Sequence, residues 1–162
     1  MMFECEICLT AQGAKPGSII PLPYKAVLRT CEILGLRPPY YVSGVGCVFI
    51  SSSLKWLSWL LLLDITEDPV IRQAVYGIFC GYPRCCIYEY LMHGNLKVAL
   101  QAYRSKVGKR KDPFSIRKVT GERVVSDRLI SWIPCSPNCR ISHELVKFYE
   151  RVCRRRSECP FR

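Results

Sequence analysis

Eleven of the 162 residues are cysteine, and four of them fall in two short segments suited to ligand chemistry. The first is Gly81-Tyr82-Pro83-Arg84-Cys85-Cys86, and the second is Pro134-Cys135-Ser136-Pro137-Asn138-Cys139. In each, a proline stands where the first helical position is expected, with cysteines just before it or within the first turn. The unbonded N–H groups and the dipole at such an end favour a thiolate, the form that binds soft metals and attacks electrophiles. If the two helix starts converge, Cys85, Cys86, Cys135 and Cys139 make one site for zinc or an iron–sulfur cluster. The spacing is CC plus CxxxC, not the usual pair of CxxC units. Neighbouring helical residues project about 100° apart, so Cys85 and Cys86 compete for one ion. Cys80, and His143 four residues after Cys139, then stand as alternative ligands. The same four cysteines also admit a thiol redox reading, as nucleophile and resolver, and a disulfide reading.

The chain ends hold a second constellation. Cys5-x-x-Cys8 is half of a zinc knuckle, and Cys153 with Cys159 supplies the other half if the termini meet. A CxxC disulfide or terminal thiols would explain the same residues. No catalytic set accompanies either group: the chain has no P-loop, GxGxxG, GxSxG or HExxH pattern. His93 and His143 are its two imidazoles. The balance is toward a protein that is not an enzyme.

Charge is uneven along the chain. Residues 1–103 carry 8 basic and 7 acidic side chains, whereas residues 104–162 carry 16 and 6. Two runs, Lys109-Arg110-Lys111 and Arg154-Arg155-Arg156, concentrate the excess. Such a field attracts DNA or RNA through sequence-independent phosphate contacts. A solvated basic face is the plainer alternative.

The elements that must position these residues follow from pattern. At 18.6 kDa, with 49% hydrophobic and 23% charged residues, the chain reads as a single compact domain over 1–162. Helices are expected from Tyr24 to Leu34, ended by Gly35; from Pro69 to about Phe79; from Pro83 to His93; from Asn95 to Arg104; and from after Asn138 to about Arg155. Tyr40 to Ser51 reads as one strand loosened by Gly44 and Gly46, and Leu54 to Leu63 as a buried helix. Residues 105–128 form a basic excursion with a hairpin around Gly121, and the C-terminal end is basic too. The class is α+β, mainly α-helical with a small β-sheet. Between Tyr40 and Leu63 only Lys55 is charged, but the unbroken apolar run, Trp56 to Leu63, is 8 residues. That is too short to span a bilayer, and no membrane association is expected.

The N-terminus carries acidic residues where a secretory signal would be basic, so the expected location is intracellular, in a reducing cytoplasm. Few Asn and Gln fit a thermophile. Together GYPRCC and PCSPNC resemble an uncharacterised, largely archaeal domain-of-unknown-function family with GYPxCC and PCSxxC motifs. Gly81, Tyr82, Pro83, Cys85, Cys86, Pro134, Cys135, Ser136 and Cys139 carry the resemblance, which spans about Val75 to Leu145. It implies that these cysteines share one site, and that the source is an archaeon or a virus of one, acting then in the host cytoplasm. It implies no reaction. The leading expectation is a cysteine-rich protein with a structural zinc or iron–sulfur site and a nucleic-acid-binding basic surface.

Overall fold

A computed structural model describes residues 2–63, 65–120, 123–126 and 128–154. It divides the chain into two units, 1–81 with 149–162, and 82–148. The class is α+β and mainly helical, with a small three-stranded antiparallel sheet.

The first unit begins with α1 (Met2–Ala11), β1 (Ser18–Ile20) and α2 (Tyr24–Ile33). Next come β2 (Tyr40–Gly44) and β3 (Cys47–Ser51), which pair with β1 in the order β1-β3-β2. One strand over Tyr40–Ser51 is therefore corrected to a hairpin. Val45 and Gly46 are the loop between paired Gly44 and Cys47, and Gly46 takes the φ of +69° that this reversal needs. The expected helix over Leu54–Leu63 is also divided, into α3 (Leu54–Ser58) and a 3-10 turn (Trp59–Leu63). Leu57, Leu60 and Leu63 are buried three residues apart, the period of a 3-10 helix. Then α4 (Pro69–Phe79) starts where Pro69 occupies the first turn and Asp68 accepts from the Val70 and Ile71 N–H groups at 2.7 and 3.3 Å.

Ile7, Cys8, Ile20, Val27, Cys31, Val48 and Ile50 form the core of this unit. One ionic group sits inside it. Lys15, 1% exposed, pairs with Glu6, which also accepts from Ser18 Oγ at 2.7 Å. Burial alone would lower the Lys15 pKa, but the adjoining Glu6 charge holds it above the ordinary value.

The second unit holds α5 (Arg84–His93), α6 (Leu96–Val107), the hairpin β4 (Ile116–Thr120) with β5 (Arg123–Ser126), and the start of α7 (Arg140–Arg154). Asn95 caps α6 by accepting from Val98 N at 2.9 Å. Past α6, Asp112 organises the entry to β4. Its carboxylate accepts from Phe114 N (2.9 Å), Ile116 N (2.8 Å) and the buried Tyr103 hydroxyl (2.5 Å). The expected hairpin is present, although Gly121 lies outside the described residues. Among the described residues, no helix is long and apolar enough to cross a membrane.

Candidate metal centre

Each residue of the first motif has a local task. Gly81 follows α4 with φ +72°, and a Cβ there would lie 2.6 Å from Pro16 Cδ, so neither the conformation nor the space suits another residue. Tyr82 packs against Trp132 at 5.4 Å between ring centroids. Pro83 takes the position just before α5, not its first helical position, and its carbonyl accepts from Cys86 N and Ile87 N at 2.9 and 3.0 Å. Cys85 and Cys86 thereby fall in the first turn of α5.

The second motif is a loop closed by a turn. Cys139 N donates to Ser136 O at 3.1 Å, and Cys139 O accepts from His143 N at 3.1 Å. That second bond makes Cys139 the residue from which α7 starts. Cys135 thus lies in the loop ahead of the helix, as a helix starting after Asn138 requires, and Pro137 belongs to that loop, which corrects its expected place at the first helical position.

The four sulfurs converge. One ligand atom from each of Cys85, Cys86, Cys135 and Cys139 lies within 4.8 Å of all the others. Three spacings are tighter: Cys85 to Cys86 is 3.9 Å, Cys85 to Cys139 is 3.7 Å and Cys86 to Cys139 is 3.8 Å. Four thiolates about 2.3 Å from one ion, at tetrahedral angles, stand about 3.8 Å apart. Adjacent Cys85 and Cys86 both reach the centre despite their angular separation on α5, their sulfurs lying 3.7 and 3.8 Å from Cys139 Sγ. None of the ten described cysteines is in a disulfide.

A hydrogen-bonded surround fixes the sulfurs. Cys135 N donates to Cys86 Sγ at 3.3 Å. The buried Trp132 Nε1 donates to Ser142 Oγ at 3.2 Å, leaving the Ser142 hydroxyl proton for Cys86 Sγ, 3.3 Å away. Lys106 donates to the Cys135 carbonyl at 2.9 Å and pairs with Glu89, joining α6, α5 and the loop. His143 is not a ligand. Its Nε2 donates to the Pro137 carbonyl at 2.9 Å and its ring packs on Phe114 at 4.4 Å, so it braces the loop. Ser142 follows Cys139 by three residues on one helix face, a sequence signal that could have identified it. Lys106 and Trp132 carry no such signal.

The electrostatics are those of crowded sulfurs. Burial would raise the Cys139 thiol, but hydrogen bonds from Ser142, then from the Cys135 and Cys85 thiols, outweigh it and hold it below the ordinary value. Burial drives the Cys86 thiol far up. Burial, with hydrogen bonds to Cys139 and Cys85, pushes Cys135 up to about 12. Ionising all four thiols at these spacings would take a cation among them.

The other predicted residues lie elsewhere. Cys5, Cys8 and Cys153 are buried, and among the described residues no second group of three metal-ligating side chains forms around them. Cys159, Arg155 and Arg156 lie outside the described residues, and Arg154 is the last residue of α7. Lys109, Arg110 and Lys111 are exposed between α6 and β4. No protein-family model, curated protein or solved structure matches this chain.

Proposed function

We propose that Cys85, Cys86, Cys135 and Cys139 hold one zinc ion as a structural site, in an intracellular protein that contacts nucleic acid through its basic second unit. The observation that carries the metal reading is the set of sulfur spacings, 3.7–3.9 Å among Cys85, Cys86 and Cys139 with Cys135 within 4.8 Å of each, which suits a single tetrahedral ion. An iron–sulfur cluster interposes iron and sulfide between its cysteines and calls for a wider set. When bound, zinc supplies four thiolate bonds with no redox chemistry of its own, and that binding energy is folding energy. The second unit has reason to use it. Residues 82–148 number 67, and below about 70–80 residues a single apolar core supplies little stability. The same stretch carries 13 basic and 5 acidic side chains, which supports the nucleic-acid reading.

Metal analysis of freshly purified protein tests the proposal. One zinc per chain is expected, and a brown chromophore would identify an iron–sulfur centre instead. Cys135→Ser and Cys139→Ser should each lose the metal and melt at a lower temperature, a loss of several kcal/mol. Unchanged metal content and melting in both variants would sink the structural site.

One observation favours a second reading, a thiol redox centre. Cys85 is exposed and lies 3.7 Å from Cys139, whose thiol is held below its ordinary value. Alkylation separates the two. A redox centre requires one of the four cysteines to be labelled first, whereas a zinc site requires them to resist labelling until a chelator is added.

A further inference from the structure

We infer that the groove between α6 and β4 is where the second unit takes the phosphate backbone of double-stranded nucleic acid, an inference that rests on the nucleic-acid reading above. The groove has a volume of about 570 Å3 and is lined by Lys97, Leu100, Gln101, Arg104, Ser105 and Val119. Lys97, Gln101, Arg104 and Ser105 recur at intervals of four, three and one, so they share one face of α6. Seven residues of helix separate Lys97 from Arg104 by about 10 Å along the axis, enough for the two cations to meet different phosphates of one duplex strand.

Arg104 is positioned in advance. Its Nη2 donates to the Arg117 carbonyl at 2.7 Å, which fixes the guanidinium and leaves most of its five donors for a ligand. A side chain ordered before binding loses less freedom when an anion arrives.

Among the described residues, no acidic side chain lines the groove to cancel its positive charge. Each described carboxylate of the unit is committed elsewhere: Glu89 to Lys106 and His93, Asp112 to Tyr103 and two backbone N–H groups, and Glu144 to Arg140. Exposed Lys109, Arg110 and Lys111 follow directly after α6, and exposed Lys118 lies on β4, so the field extends beyond the groove. Among the described residues, no aromatic side chain lines it to stack on an unpaired base, and phosphate contact with a duplex is what its chemistry offers.

The test uses the full chain, purified with zinc, and fluorescence anisotropy with a labelled 20-base-pair DNA duplex or either of its single strands, over a range of salt concentrations. The wild type should bind the duplex at low salt without sequence preference. Lys97→Glu combined with Gln101→Glu, at two exposed positions, should weaken duplex binding at least tenfold and reduce the log–log salt slope by about 1. Arg104→Ala, a milder change, should reduce the slope by a similar amount. Melting and zinc content identify any variant that misfolds, and the other variant then decides. If both fold and bind like the wild type while Lys109→Glu, Arg110→Glu and Lys111→Glu together abolish binding, the groove is overturned and the nucleic-acid reading stands. Single strands bound more than tenfold tighter than the duplex would also overturn it. A wild type that binds neither probe at tens of micromolar removes the nucleic-acid reading itself, and the groove with it.

Discussion

Cys31 and Cys86 are both buried, at 0% and 2% exposure, but the chain treats them differently. Cys31 sits on α2 among Ile7, Val27 and Ile50, where a thiol serves as a small apolar side chain. Cys86 faces three other sulfurs, a backbone N–H and a serine hydroxyl. The same contrast holds unit by unit. Of the six described cysteines in the first unit, Cys5, Cys8, Cys31, Cys80 and Cys153 are buried and Cys47 is half-buried, and they form no ligating group. All four of the second unit converge on one point. Cysteine number therefore says little about metal binding in this chain. What distinguishes the two uses is the backbone: Gly81, Pro83 and the turn at 136–139 present sulfur to sulfur, whereas an ordinary helix face presents it to hydrocarbon.

The comparison can be broken most sharply at the polar centre of the first unit. Glu6→Gln removes the carboxylate that faces Lys15 in the core, a change that costs about 3–5 kcal/mol when one member of a buried pair is lost. Denaturant titration should show that loss with the zinc content unaltered. If instead metal is released, the two units are not separate in their energetics. Ser142→Ala is expected to act on the other side of the contrast. It removes the hydroxyl between Trp132 and Cys86, and losses of this kind lower metal affinity about 10–100-fold. Competition with a chromophoric chelator measures it, and an unchanged affinity would show that Ser142 only packs.

Cys31→Ala should cost about 1 kcal/mol, the price of a small cavity, and leave metal stoichiometry at the wild-type value. A change in stoichiometry would mean that the first unit holds ligands as well. The smallest effect is expected at Glu89. The hydrogen bond from Lys106, then that from His93, outweigh burial and hold its carboxyl below the ordinary value. A lowered folded-state value means that the contribution is present above the unfolded value of about 4.3 and is lost as pH falls through the folded one. Glu89→Gln should remove that part of the acid dependence of melting, at a cost below about 1 kcal/mol at neutral pH, since the pair is partly exposed.

What the sequence disclosed follows the reach of each interaction. Pro69–Phe79 is legible to the residue because Asp68 and Pro69 are local start signals. The four cysteines are legible because glycine and proline flank them. The N-terminal CxxC points to a loop ligand pair, yet α1 places Cys5 and Cys8 on one buried face, for the helix is held by packing against α2 and β1, which no local motif announces. The hairpin at Gly44–Gly46 and the 3-10 turn after Ser58 escape for the same reason: the register of β3 against β1 and the burial of Leu60 and Leu63 are decided by distant partners. Trp132, Ser142 and Lys106 belong to the site only through contacts across 10–56 residues of sequence.

The distance along the chain between the two cysteine pairs also sets an order of events during synthesis. Cys86 and Cys135 are 49 residues apart. At about 5–20 residues per second, the second pair is polymerised roughly 2.5–10 s after the first. Through that interval a nascent chain offers two adjacent thiols and no completed tetrahedron. The four sulfurs of the second unit thus come together only after α6 and the β4–β5 hairpin have been made, because Cys139 follows both in the chain.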